Sequence, residues 1–238
     1  MRKISFTLAA TMLAPCLFAV DGVVLINQST VVAAGGFPYK ITQPGSYKLS
    51  GNLTVPDANT TAISIASVNV TLDLNGFGII GPVVCTYDIF SATPTTSCSS
   101  PASSGGYGVE NSGTRCGFAA GSTCPVSGDS VINGTVRGMG SIGIVLYGGT
   151  VRNVLAISNA STGIYIVAGA VIDSTASLNG SHGIEGSGVL SGNTAFNNVS
   201  FGLFVSCPSS VVGNTAFGNS QNLFIFGSNC AVANNAAP

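Results

Sequence analysis

The second half of the sequence repeats at intervals of about twenty residues, and this repeat limits the folds that the chain can adopt. Stacking residues 131–232 at that interval aligns three columns of similar side chains. The first column contains small apolar residues: Val136, Ala156, Ala176, Ala195 and Ala216. The second contains asparagines: Asn159, Asn179, Asn198 and Asn219. The third contains larger aliphatic residues: Ile144, Ile164, Ile184, Leu203 and Leu223. A sustained period of this length indicates one supersecondary unit per repeat, stacked on similar neighbours.

Each repeat consists of short apolar or β-branched stretches interrupted by Gly, Asn and Ser, a pattern that is typical of strands and turns. Helical repeats need about 30 residues or more and a 3.6-residue periodicity. The sequence therefore predicts an all-β chain, a parallel β-helix with one coil per repeat, in which equivalent residues lie about 4.7–4.9 Å apart. Stacked isoleucines would form the core, and stacked asparagines would bond through their side-chain amides at a turn.

Several segments resemble parallel β-helix repeats of the pectin-lyase-like superfamily. They are "NTAFNNVSFGLFV" (193–205), "NASTGIYIV" (159–167) and "SVNVTLDLNGFGIIG" (67–81), the last being similar to the opening coil of secreted members. The resemblance covers residues 45–235 and implies a single-stranded right-handed parallel β-helix. That superfamily includes lyases, hydrolases, adhesins and non-catalytic proteins, so the resemblance leaves the activity open.

The beginning of the chain has the features of a secretory signal peptide, with Arg2 and Lys3 followed by the short apolar run 4–13. We expect residues 1–19 to be removed, which leaves no transmembrane segment in the mature chain. The sequence therefore predicts a secreted, periplasmic or cell-surface protein.

The remaining chain is predicted to contain a capping segment at 20–60 and the β-helix domain at 61–238. Extending the repeat upstream leaves two stretches that do not fit the coils, at about 82–106 and 112–128. Because both are rich in Ser, Thr and Gly, we expect them to be loop insertions that project from the helix.

Six cysteines remain after the expected cleavage, an even number that is typical of disulfide bonding in an exported chain. They fall into three sequence pairs: Cys85 and Cys98, Cys116 and Cys124, and Cys207 and Cys230. The first two pairs each lie within one insertion, and the third pair lies about one coil apart, within reach of a disulfide. We favour these local pairings among the fifteen connectivities open to six cysteines. The sequence has no cysteine–histidine cluster, so we expect neither a metal nor a cofactor.

Charged residues are scarce, at 6% of the chain with a net charge of -1, which gives no electrostatic basis for binding nucleic acid. Lyases and hydrolases of polysaccharides need clustered charges. The best candidate constellation is Asp173, His182 and Glu185 in one coil, with Arg152 one coil earlier. Since each of these residues also suits a turn or a solvated surface, we assign no catalytic residue.

Aromatic and charged side chains gather in and near the insertions: Tyr87, Asp88, Phe90, Tyr107, Glu110, Arg115 and Phe118. Aromatic rings with a few polar groups suit sugars, and loops on rigid scaffolds commonly carry recognition. Alternatively, these side chains pack the loops onto the coils. The leading hypothesis is a non-catalytic exported protein that contacts carbohydrate or a cell surface. The alternatives are a polysaccharide lyase or glycoside hydrolase, and an adhesive protein that self-associates through its C-terminal coil.

Overall fold

The chain winds into a parallel β-helix of about nine turns, which a computed structural model describes for residues 22–88, 90, 95–99, 105–111 and 127–238. A full turn contains three strands, and equivalent strands form three parallel stacks, which we call A, B and C in the order that the chain visits them. This arrangement confirms the predicted all-β solenoid with coils of about twenty residues.

The strands are distributed over the stacks as follows. Stack A contains β2 (Tyr39–Ile41), β5 (Ile63–Ile65), β10 (Val109–Glu110), β12 (Ile144–Tyr147), the first parts of β14 (Ile164–Ile172) and β16 (Ile184–Ser191), β18 (Phe201–Ser206) and β21 (Gln221–Phe226). Stack B contains β1 (Val23–Ile26), β3 (Gly45–Leu49), β6 (Val70–Asp73), the first parts of β11 (Ser130–Arg137) and β13 (Thr150–Ile157), the last parts of β14 and β16, β19 (Ser210–Val212) and β22 (Ala231–Ala233). Stack C contains β4 (Leu53–Thr54), β7 (Gly78–Ile80), the last parts of β11 and β13, β15 (Thr175–Ser177), β17 (Thr194–Phe196) and β20 (Thr215–Phe217).

The strand register places like residues over one another as the repeat predicted. In stack A the paired neighbours are Ile144, Ile164, Ile184, Leu203 and Leu223. In stack C they are Val136, Ala156, Ala176, Ala195 and Ala216. These side chains face inward and are buried, except that Leu223 in the last coil is only half-buried. The two columns therefore form a continuous apolar core along the axis.

The predicted asparagine column forms a buried ladder at the turn between stacks C and A. The Nδ2 atoms of Asn159, Asn179 and Asn198 donate to the Oδ1 atoms of the next rungs at 3.0, 2.9 and 2.9 Å. The rungs also bond to the main chain: Asn179 Nδ2 donates to the Ala156 carbonyl, and Asn179 Oδ1 accepts the Asn159 N–H. Each amide thus satisfies buried backbone groups that the turn leaves without strand partners.

A second ladder, which we did not predict, lies inside the turn between stacks B and C. Asn193 Nδ2 donates to Asn214 Oδ1 at 2.9 Å, and Asn214 Nδ2 donates to Asn235 Oδ1 at 2.9 Å. The regular spacing of these asparagines, 21 residues in each case, is visible in the sequence. The column is short because Ser174 occupies the equivalent position on the preceding coil, where its backbone N–H donates to Asn193 Oδ1.

The segment predicted to cap the first coil contains the short helix α1 (Gln28–Ala33) and the first four strands. Asn27 caps α1 by accepting the Thr30 N–H, while Thr30 Oγ1 accepts the Asn27 N–H. Strands β1, β2 and β4 pair in parallel with β3, β5 and β7 respectively, so these strands occupy the first positions of the three stacks.

Two disulfides confirm two of the predicted cysteine pairs. Cys85–Cys98 joins β8 (Cys85–Asp88) to β9 (Thr95–Cys98) at the base of an antiparallel hairpin, and Cys207–Cys230 joins adjacent coils. Cys116 and Cys124 lie outside the described residues, as does the predicted signal peptide. Among the described residues, no helix is both long enough and apolar enough to cross a bilayer.

The hairpin β8–β9 lies along the turns between stacks C and A. The Sγ atoms of Cys85 and Cys98 are 3.7 and 3.8 Å from the Asn159 carbonyl oxygen. Further along the hairpin, Thr96 Oγ1 donates to the Asn197 carbonyl, which lies about two coils later. The hairpin therefore rests on the coils that follow it in the sequence, with Thr96 beside the later ones.

Candidate functional site

The outward face of stack A carries a cluster of aromatic and titratable side chains. Strand alternation turns Tyr165, Glu185 and Phe204 away from the core, because the residues beside them in their strands face inward. Thr162 and His182 lie in the turns that precede two of these strands. We call this set the A-face cluster: Thr162, Tyr165, His182, Glu185, Phe201, Phe204 and Phe224.

His182 lies beside two aromatic rings of this cluster, both from the next coil. Its ring stacks on Phe201 and Phe204 with centroid distances of 5.0 and 5.4 Å. The Phe201 backbone N–H donates to His182 Nδ1 at 3.3 Å, so the neutral ring carries its proton on Nε2, which faces Glu185 Oε2 at 3.9 Å. Burial lowers the pKa of His182, because the charged imidazolium would lose hydration among these rings.

The pKa of Glu185 is shifted in the opposite direction from that of His182. Burial raises the pKa of its carboxyl, and the Thr162 hydroxyl, which donates to Oε2 at 3.3 Å, only partly offsets this shift. Its row neighbours on the adjacent coils are Tyr165 and Phe204, and burial also raises the pKa of the Tyr165 hydroxyl. Because burial disfavours the charged forms of both groups, His182 tends to be neutral and the Glu185 carboxyl is readily protonated. A protonated carboxyl at this position can donate a proton to a bound molecule.

The other two catalytic candidates lie elsewhere. Asp173 follows the stack B part of β14 and occupies the turn before stack C, with φ of +48°. Arg152 lies in stack B, where it pairs with Ile172 on the next coil. Both side chains are exposed. Since stack C separates Asp173 from His182 along the coil, the structure brings together only His182 and Glu185.

The hairpin tip holds three of the predicted binding residues. Phe90 is 93% exposed, and its backbone N–H donates to Asp88 Oδ1 at 2.9 Å, which shapes the end of β8. Tyr87 pairs with Thr96 across the hairpin, so both side chains emerge on the face that rests on the coils. The described part of the hairpin therefore leaves Phe90 in solvent, while Thr96 contacts the β-helix.

The remaining binding candidates are not at the hairpin tip. Glu110 lies on the outward row of stack A between Ser64 and Val145, and Tyr107 precedes it in the same coil. Val145 and Tyr165 separate Glu110 from Glu185 along that row. Arg115 and Phe118 lie outside the described residues. The described candidates thus occupy two separate locations.

Aromatic stacks on the late coils are features that the sequence reasoning missed. Phe224 stacks on Phe201 and Phe204 at 5.0 and 5.3 Å, and Phe196 stacks on Phe217 at 5.2 Å. Members of each stack recur about one coil apart, so a search for aromatic columns at the repeat interval would have found them.

Comparison with protein-family models, with curated proteins and with solved structures finds no match to this chain. Any function assigned to it therefore depends on the geometry described above.

Proposed function

We propose that this chain is an exported, non-catalytic right-handed β-helix protein of the pectin-lyase-like type, which contacts the carbohydrate of a cell surface through the tip of hairpin β8–β9. The observation that carries the proposal is the exposure of Phe90 just beyond β8, in a hairpin that contacts the coils at Asn159 and Asn197. A loop held in this way can present a ring to a ligand with little loss of conformational entropy.

The surroundings of the tip support this role. The exposed phenylalanines among the described residues are Phe90, Phe217 and Phe226, at 93%, 46% and 62% exposure. Phe217 stacks on Phe196, and the next residue, Asn197, accepts the hydrogen bond from Thr96 of the hairpin. Apolar rings thus concentrate on the last coils and on the hairpin beside them, as expected of a contact surface. Two disulfides agree with export to an oxidising compartment.

Replacing Phe90 by alanine is expected to weaken binding to the recognised glycan by about tenfold or more, which corresponds to one aromatic anchor. A glycan array identifies the ligand for the unaltered chain, and calorimetry then measures affinity for the variants. Val84→Ala provides the control, because Val84 is 62% exposed just before β8, away from the tip. Unchanged affinity in Phe90→Ala, or failure of the unaltered chain to bind any glycan, would reject the proposal.

A second candidate function is polysaccharide cleavage at the A-face cluster, which the paired His182 and Glu185 favour. The raised pKa of Glu185 would keep the acid form available for protonating a leaving group. Hydrolases, however, use two carboxyl groups flanking the scissile bond, and the row positions adjacent to Glu185 are Tyr165 and Phe204.

Assays for reducing sugars and unsaturated uronates across a polysaccharide panel separate the two functions. If the chain is an enzyme, Glu185→Gln should lower turnover by about 10²-fold or more. Turnover should also decrease as rising pH deprotonates Glu185. Asp57→Asn is the control, since it removes one exposed carboxylate far from the cluster. Absence of turnover in the unaltered chain rejects the enzymatic alternative.

A further inference from the structure

A groove of about 520 Å³ runs along the outside of the turn between stacks B and C. The side chains that matter here are Asn133, Asn153, Asp173, Thr135, Thr175 and Leu155. Asn133, Asn153 and Asp173 occupy equivalent turn positions on successive coils, with φ of +60°, +53° and +48°. Neither the A-face cluster nor hairpin β8–β9 contributes a residue to this groove.

The asparagines of the groove form a third amide ladder, and its hydrogen bonding stops at Asn153. Asn133 Nδ2 donates to Asp73 Oδ1 at 3.2 Å, and Asn153 Nδ2 donates to Asn133 Oδ1 at 3.1 Å. The equivalent residue on the next coil is Asp173, which has no side-chain N–H to donate. Within the part of the chain that the structure describes, no protein group donates to Asn153 Oδ1 or to the Asp173 carboxylate. Two successive coils therefore each present a side-chain acceptor that no described protein group bonds.

Glycine on the following coil makes room for the carboxylate of Asp173. Gly192 has φ of +68°, a conformation that asparagine already adopts at positions 133 and 153, so the backbone alone does not demand glycine. A Cβ atom at position 192 would lie 2.4 Å from Asp173 Oδ1. The carboxylate of Asp173 thus extends over Gly192, where a side chain would otherwise stand.

We propose that this groove binds a chain of N-acetylated amino sugars, whose acetamido N–H donates to Asn153 Oδ1 and whose neighbouring hydroxyl donates to Asp173. The ligand amide then supplies to Asn153 the N–H that Asp173, in the next rung position, lacks. The Thr135 and Thr175 hydroxyls can donate to or accept from the sugar, and Leu155 offers an apolar surface to the acetyl methyl group. A polyuronate fits poorly, because its carboxylates would face Asp173.

This inference rests on the proposed contact with carbohydrate and names the class of sugar, but it uses different residues. Two substitutions fill the acceptors while keeping the turn. Asp173→Asn supplies an N–H to Asn153 Oδ1, as Asn153 supplies one to Asn133. Gly192→Asn supplies an N–H to Asp173, as Asn133 supplies one to Asp73. Asparagine tolerates this backbone conformation, and the Asp173 carboxylate, at the end of an exposed side chain, can rotate to admit a Cβ at position 192, so both variants should fold.

Calorimetry with a tetramer of N-acetylglucosamine tests the inference. We expect the unaltered chain to bind this tetramer at least about tenfold more tightly than the glucose tetramer of the same linkage or the de-N-acetylated tetramer. Asp173→Asn and Gly192→Asn should each lose about tenfold or more in affinity. Asp57→Asn, which removes an exposed carboxylate elsewhere, should bind like the unaltered chain, and thermal melting checks the fold of every variant.

Three results would overturn the inference: equal affinity for the acetylated and glucose tetramers, full affinity in Asp173→Asn, or binding of calcium chloride alone with no sugar bound. The variants also separate this inference from the proposed function. Loss of glycan binding in Phe90→Ala with full binding in Asp173→Asn supports the hairpin and rejects the groove. The reverse pattern supports the groove and rejects the hairpin.

Discussion

Replacing Asn179 by alanine is expected to destabilise the β-helix by about 3–5 kcal/mol, the largest effect that we predict for a single side chain. Asn179 is fully buried in the middle of its ladder. Its amide bonds to two side chains, Asn159 and Asn198, and to the backbone at Ala156 and Asn159. Alanine would leave all of these buried partners unsatisfied, and each would lose about 1–3 kcal/mol before relaxation. Urea unfolding followed by circular dichroism measures the difference.

Asn219→Ala provides the matched comparison for this prediction. Asn219 belongs to the same ladder and also accepts from and donates to its neighbours, but it is only half-buried near the last coil. Because water can replace some of the lost hydrogen bonds there, we expect a smaller change of about 1 kcal/mol. If Asn179→Ala changed stability no more than Asn219→Ala does, the ladder would not be a main source of stability.

Replacing Gly183 by alanine is expected to destabilise the fold by about 3 kcal/mol through overpacking. Gly183 follows His182 at the turn that enters stack A. A Cβ atom at this position would lie 2.6 Å from the Gly202 carbonyl oxygen and 2.7 Å from Asn198 Nδ2. Neither atom can move freely, since Asn198 is held in the ladder and the Gly202 carbonyl belongs to the next strand. The substitution would therefore strain both the ladder and the stack.

Gly51→Ala is the control for Gly183, and thermal or urea unfolding measures both. The nearest atom to a Cβ at position 51 is Asn27 Cβ at 3.7 Å, an ordinary contact. We expect this variant to remain within about 0.5 kcal/mol of the unaltered chain. Equal stability of the two variants would show that the approach of the coils at Gly183 is less tight than the structure indicates.

The solenoid could be predicted from the sequence because each coil repeats the same physical requirement. Ile164 needs an aliphatic neighbour above and below, and Asn179 needs an amide, so the columns record the stacking directly. The disulfide between Cys207 and Cys230 followed from the same reasoning, since equivalent positions on adjacent coils are close in space.

The sites were harder to predict, because residues close in sequence point in different directions within one coil. Asp173 and His182 are nine positions apart, but a strand of stack C and two turns intervene, so only Glu185 accompanies His182. The coils that the hairpin contacts could not be predicted either. Thr96 contacts Asn197 across a separation of 101 residues, and this contact leaves no periodic trace.

The hairpin changes how the molecule can come apart. In a simple solenoid each coil contacts only its neighbours, so unfolding can proceed from one end, one coil at a time. Here hairpin β8–β9, which follows β7 in the sequence, contacts Asn159 and donates a hydrogen bond to the Asn197 carbonyl. The coils between these points cannot separate without breaking those contacts. We therefore expect the coils from β7 to Asn197 to unfold cooperatively, and gradual unfolding from the end to be confined to the coils after Asn197.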